Sequence, residues 1–295
     1  MLKNVLSRAP AGDQTTADAV TRAAVGVDMG CANGGRCALP LISLRLVSGR
    51  LPDQPIRVPA SLQRWEHLTF LHWRYDAETV QALIPPSPRV QGWDGSTWVG
   101  ITPFRMVDVR LPVLPPPPAW REFPELNVRA YVRAPDGRYG IWFLGMAVPR
   151  VSFLAPMRAA GLPYERSRSE VSIIDSRWSY RFDPPRRMRR LGADPFAAVV
   201  DVGDELSEHR RTPLVDSITG RWSGFHRRGG ILLRTPIAHE PWPLLSATAD
   251  GDLTPPLRWS GLPEPAEPAL VHAAPVVHTS LRPPRPVRRV RSDGW

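Results

Sequence analysis

The chain has 295 residues, 42% of them hydrophobic, and a formal net charge of +10. Thirty-five prolines and twenty-two glycines exclude a mostly helical protein, because each interior proline removes a backbone donor and blocks the preceding turn. No apolar run approaches the roughly 18 to 20 residues that a spanning helix requires, so the sequence predicts no membrane segment.

Residues 1–58 contain no aromatic residue and no sustained apolar period, and they read as a flexible leader. Within it, residues 39–47 alternate well enough for a short strand. Cys31 and Cys37, the only cysteines, are too few for a four-ligand zinc site, and no histidine lies near them in sequence. No secretory leader precedes them, so a reducing, cytoplasmic setting is expected. Eleven tryptophans run from Trp65 onward, which predicts one main domain over residues 59–290, with 291–295 as a basic tail.

In that domain Asp76 to Leu83 reads as a short helix capped by Asp76 and ended by Pro85-Pro86. Trp98 to Val109 reads as a strand after the Asp94-Gly95 turn, and Pro112 to Pro118, with five prolines, as an extended loop. Phe123 to Ala134 and Tyr139 to Val148 form a hairpin around Pro135-Asp136-Gly137-Arg138. Pro156 to Leu162 reads as a short helix closed by Gly161. Glu170 to Phe182 reads as one strand, Arg186 to Arg190 as a basic loop, and Asp194 to Asp204 as another strand. Pro213 to Gly220 resembles a helix, and Ile231 to Thr235 a short strand after Gly229-Gly230.

The strand from Phe123 carries the most informative pattern. Glu125, Asn127, Arg129 and Tyr131 alternate with Leu126, Val128, Ala130 and Val132, which puts four polar groups on one face and four apolar groups on the other. If the polar face lines a cavity, Arg129 can hold a carboxylate bidentately, Glu125 is near enough to pair with it, and Arg105 is a second cation. A solvent-exposed face, or a structural Glu125–Arg129 ion pair, fits the same spacing. His72, Trp98, Trp142, Tyr164 and Trp242, with Trp73, are candidate walls for a small organic ligand, although tryptophans at strand spacing also serve simply as core.

The order of these words resembles a known family. His72-Trp73, a helix ending in Leu83-Ile84-Pro85-Pro86, Asp94-Gly95, Trp98-Val99-Gly100, Pro103-Phe104-Arg105-Met106 and Phe123-Pro124-Glu125-Leu126-Asn127-Val128-Arg129 are similar to the DUF2071 family of YqjF-like bacterial proteins. Gly161-Leu162-Pro163-Tyr164 and His239-Glu240-Pro241-Trp242-Pro243-Leu244 continue the match, over about residues 64–290. The resemblance implies an α+β, β-rich fold like that of acetoacetate decarboxylase, an antiparallel barrel or cone with a few short flanking helices and an internal cavity.

Acetoacetate decarboxylases form a Schiff base through a lysine, an activation that arginine cannot replace because it stays protonated and delocalised. Lys3, in the leader, is the only lysine, so Schiff-base chemistry by the domain is not expected. The seven histidines show no zincin spacing, His239-Glu240 being at most two ligands, and no nucleophile elbow or nucleotide loop occurs. The sequence therefore predicts no metal, no cofactor and no named catalytic residue. It predicts a cavity for a small polar or acidic molecule, with a carboxylate favoured, and leaves a homo-oligomer open. The competing reading is an anion or nucleic-acid surface binder through Arg186 to Arg190, Arg227-Arg228 and Arg285 to Arg291, with no recognised nucleic-acid module to support it.

Overall fold

The structure, a computed structural model, describes residues 49–288. In chain order the elements are β1 (Ser61–Tyr75), α1 (Ala77–Gln81), β2 (Arg89–Val90), β3 (Thr97–Arg110), β4 (Glu122–Arg133), β5 (Tyr139–Val148), α2 (Val151–Ala159), β6 (Tyr164–Arg166), β7 (Ser169–Ile174) and β8 (Arg177–Phe182). There follow α3 (Arg186–Arg190), β9 (Phe196–Glu205), α4 (Pro213–Thr219), β10 (Ser223–Arg228), β11 (Ile231–Ala238), β12 (Leu245–Asp252), α5 (Pro255–Trp259), β13 (Leu270–Leu281) and β14 (Arg285–Pro286). None of these helices is long and apolar enough to cross a membrane.

The strands run in the order β11-β10-β5-β4-β3-β1-β13, and a further β11–β13 pairing closes them into a ring. The ring departs from the antiparallel expectation at one seam, where β5 and β10 are parallel, Gly224 lying opposite Ile141 and Phe225 opposite Trp142. From β13 the sheet continues through β12, β9 and β8 to β7. This tail folds over the outside of the ring, so that Leu126, Val128 and Ala130 of β4 share one buried cluster with Trp178, Tyr180, Phe182 and Phe196. The apolar half of the β4 alternation thus faces outward under a second layer, and the polar half faces the interior.

Three bulges bend the ring strands. Between Glu66 and Leu71 the β1–β3 register shifts by one residue at His67, whose φ is +48°. Between Leu62 and Arg64 it shifts back at Asp108, whose φ is +53°. A third shift, between Val128 and Arg129 on β4, leaves Leu144 of β5 as the extra residue. Each bulge changes the inside/outside phase, so Trp65 and Leu68, Met106 and Val109, and Phe143 and Met146 all face inward although three residues apart. That loss of strict alternation is why β1 carries no clean strand signal in the sequence.

Several expectations need correction. The predicted strand Glu170 to Phe182 is a hairpin, β7–β8, turned at Asp175, whose φ of +52° needs no glycine. The predicted basic loop Arg186 to Arg190 is the helix α3. The helix assigned to Pro156 onward starts at Val151, because Phe153 and Leu154 bury its first turns and the proline is accommodated within it. Arg50 pairs with Asp216 at 3.0 Å and Glu208 at 2.9 Å, Asp53 pairs with Arg138, and the Trp222 indole donates to the Gly49 carbonyl. Residues 49–58 are therefore folded onto the domain rather than part of a leader. The strand expected at 39–47, both cysteines and the 291–295 tail lie outside the described residues.

Candidate functional site

The ring encloses a cavity of about 550 Å³. Its depth runs along the strands. On β4, Arg129 lies opposite Gly100, Asn127 opposite Thr102, Glu125 opposite Phe104 and Phe123 opposite Met106. The other end of the cavity reaches Arg110 at the end of β3 and Leu111, Leu114, Pro115 and Pro117 in the proline loop that follows, with Ser61 and Pro283 across the opening. Arg129 is thus near the floor and the proline loop forms the rim. The walls between are mostly apolar, with Phe104, Met106, Phe143, Met146 and Trp242 among them.

Two arginines carry the floor. Arg129 is 5% exposed, its guanidinium lies 5.0 Å from the Phe70 ring centroid, and its Nε donates to the Tyr131 hydroxyl at 3.2 Å. Its Nη2 is buried without a hydrogen-bond partner among the described residues, and Arg129 enters no ion pair there. Arg221, from the link between α4 and β10, is 3% exposed and lies 4.9 Å from the Tyr131 ring. Its Nη2 donates to the Gln91 side chain at 2.6 Å and to the Ser217 hydroxyl at 3.0 Å, while Nε and Nη1 are buried and unpartnered. Burial pushes its pKa down to about 10, so it stays charged at neutral pH.

The acceptor side of the site is weak. Glu125 is the only carboxylate lining the cavity among the described residues. It accepts a hydrogen bond from the Tyr164 hydroxyl at 3.0 Å, and its other oxygen is unpartnered. Burial raises its pKa to about 8 against the opposing effects of Tyr164 and Asn127, which favours the neutral form at neutral pH. The spacing of four residues along β4 separates the Glu125 and Arg129 backbones by roughly 13 Å, which is why the ion pair envisaged from the sequence does not form. Asn127 Oδ1 and Thr102 Oγ1 are also buried without partners.

Behind the floor, His72 Nε2 and the Tyr131 hydroxyl are 2.5 Å apart. Burial, with Arg129 nearby, holds the His72 pKa well below its ordinary value. Gly100 makes room for this pair, since a Cβ there would lie 2.8 Å from the Tyr131 oxygen. His239 lines the cavity between the Trp222 and Trp242 rings, at 4.5 and 4.4 Å, and its Nδ1 bonds to the Glu240 carbonyl. Burial lowers its pKa to about 4. No cluster of three or more potential metal ligands occurs among the described residues.

Of the residues singled out in the sequence, Glu125, Asn127, Arg129, Tyr164 and Trp242 line the cavity, and His72 and Tyr131 support its floor. Four are placed elsewhere, Trp73 among them, which packs with Trp178 and Tyr180 in the cluster outside the ring. Arg105 is out of phase with Thr102, Phe104 and Met106, and pairs with Glu122 at 3.1 Å on the outside. Trp142 is out of phase with Ile141 and Phe143, and packs with Phe225 and Val132. Trp98 shares the inward phase but lies beyond the floor, against Tyr131 and Ile218. The second cation is Arg221, which no alternation marks. Thr102 and Phe104, which the sequence reading did not single out, take the inward phase of β3 in place of Arg105.

A ring of strands around a cavity with an overlying sheet tail is the acetoacetate decarboxylase-like fold. The chain is similar to an acetoacetate decarboxylase-like enzyme from Sphingomonas wittichii RW1, with a TM-score of 0.56 at 12% identity over 79% of this chain and 94% of that one. It is similar also to the enduracididine biosynthesis enzyme MppR complexed with pyruvate, with a TM-score of 0.54 at 11% identity over 80% and 94% of the two chains. At these identities the likeness is one of fold.

The chain itself belongs to the DUF2071 family, described as an uncharacterized conserved protein, whose pattern matches residues 62–278. The uncharacterized protein YqjF of Bacillus subtilis strain 168 is 27% identical over 237 residues, 76% of this chain and 93% of that one.

Proposed function

We propose that the protein binds a small organic acid in the ring cavity, with Arg129 and Arg221 holding its carboxylate, and that it does so without Schiff-base chemistry. One observation carries this reading. Two buried guanidinium groups converge on Tyr131 with N–H groups unpartnered, and Glu125, the only carboxylate lining the cavity among the described residues, is pushed by burial toward its neutral form. A buried charge left without a counter-ion costs several kcal/mol, on the order of 3 to 5 when a pair is broken, and an anionic ligand offsets that cost. Arginine also suits a carboxylate geometrically, because its planar fork donates two parallel hydrogen bonds.

Lysine is absent from the described residues, which supports binding or non-covalent chemistry over imine formation. That MppR is complexed with pyruvate is a property of that enzyme. It supports the view that this fold can enclose a small acid.

The test is thermal denaturation with a panel of organic acids and their uncharged amides. At least one acid should raise Tm while its amide does not, and Arg129→Met should abolish the rise. Met keeps most of the side-chain volume and removes an unpaired buried charge, so the ligand-free variant should melt no lower than wild type. An acid that stabilises the variant as much as wild type would remove Arg129 from the site.

A further inference from the structure

We infer that the ligand is an amphipathic monocarboxylate, with its carboxylate on the Arg129–Arg221 floor and a hydrocarbon body lying along the shaft toward the proline loop. This deepens the carboxylate reading above and rests on it.

The volume argues first. At the roughly 30 Å³ that a water-sized group occupies in a liquid, 550 Å³ accommodates on the order of a dozen to eighteen non-hydrogen atoms. An acid the size of pyruvate would fill roughly a third of it, leaving apolar wall bare. A site built only for a small keto acid has no use for that space.

The order of side chains along the shaft argues second. Cations and the orphaned Asn127 and Thr102 are at the deep end, whereas Phe104, Met106, Phe143 and Met146 form the walls. Above them Val109, Leu111 and Leu114 lead to the rim, where Leu111 is 54% and Leu114 53% exposed. Apolar side chains held open to water at the rim of an apolar shaft are what a protruding hydrocarbon tail would cover. Arg110 and Arg282 also border the opening. Being partly exposed they are solvated, and they favour the entry of an anion without having to hold it. The lining therefore runs from a charged floor through an apolar shaft to a rim of exposed leucines flanked by two solvated arginines, an order that suits an acid with a hydrocarbon body better than a polyol.

The probes are butyrate, hexanoate, octanoate and decanoate, with the matching alcohols, titrated calorimetrically into the full chain at neutral pH. Affinity should rise roughly fourfold per added methylene, the factor that ~0.8 kcal/mol per buried CH₂ corresponds to. Octanoate should bind at least tenfold tighter than octanol, and Arg129→Met should erase that difference. Leu114→Asp should lower the ratio of decanoate to butyrate affinity.

If acids bind with no dependence on length, this inference is overturned while the carboxylate reading stands. Octanol binding as tightly as octanoate overturns both, as does the failure of every acid to bind. An unchanged decanoate-to-butyrate ratio in Leu114→Asp places the tail elsewhere and overturns the orientation. Should Arg129→Met fail to fold, the comparison of acid with alcohol in wild type still decides.

Discussion

Glu125 is a residue whose environment changes its chemistry near neutral pH. Its carboxyl is fully buried, and its folded pKa of about 8 lies far above the ordinary value of 4.5. The folded state therefore binds its proton more tightly than the unfolded state does. The stabilisation from the neutral form is complete below about pH 4.5 and is lost as pH rises through about 8, on the order of 5 kcal/mol in all. His239 and His272 act in the opposite sense, because burial lowers both to about 4, so their contribution is lost as pH falls below 6.5. The comparison with Glu125→Gln isolates the carboxyl, since glutamine mimics its protonated form. Wild type should lose stability relative to the glutamine variant as pH goes from 5 to 8, measured by urea denaturation at each pH. A constant difference across that range would place the carboxyl in a polar setting. At this scale the sequence was informative where neighbours in the chain are neighbours in the site. Glu125, Asn127 and Arg129 share one strand, whereas Arg221 reaches the same floor from the link after α4 and had no local pattern to reveal it.

Among the elements, the bulged strands explain both the cavity and the errors of reading. Trp98 to Val109 and Phe123 to Ala134 were legible as strands, matching Thr97–Arg110 and Glu122–Arg133, because turns and proline mark their ends. β1, β12 and β13 were not, since bulges and two-sided burial remove the period of two. Arg105 and Trp142 were misplaced for a related reason, as the phase of each strand depends on a partner that the sequence does not name. The Asp108 bulge can be tested directly. At a φ of +53°, valine should cost about 1 to 2 kcal/mol, because a β-branched side chain clashes in the left-handed region. Asp108→Gly should be neutral or better, its ion pair with Arg64 being a partly exposed one at 3.5 Å. Equal urea midpoints for the two variants would show that the bulge relaxes away.

For the whole molecule, the closure of the ring is its thinnest feature. The β10–β11 hairpin joins β5 only through Gly224 and Phe225, and joins β13 only through Ile237 and Ala238. In contrast, β1 pairs with β13 along nearly its whole length, from Ser61 to His72. Local opening should therefore begin at this hairpin, with its amides exchanging about an order of magnitude faster than those of β1, β3 and β4. Because His226 and Ile237 of the hairpin line the cavity, a bound acid should slow that exchange. Hydrogen exchange with and without ligand measures both effects, and uniform protection around the ring would contradict the first.

The sequence by itself determined what is local. Proline and glycine content fixed a β-rich chain, alternation fixed the two faces of β4, the order of short words carried the family resemblance, and the missing lysine argued against imine chemistry in the domain. Only the tertiary structure decided which face points inward, that Glu125 and Arg129 stand apart, and that Arg221 is the second cation. Those outcomes depend on ring closure and on bulges that rephase three strands, and a strand's facing is set by its partners across the sheet rather than by its neighbours along the chain.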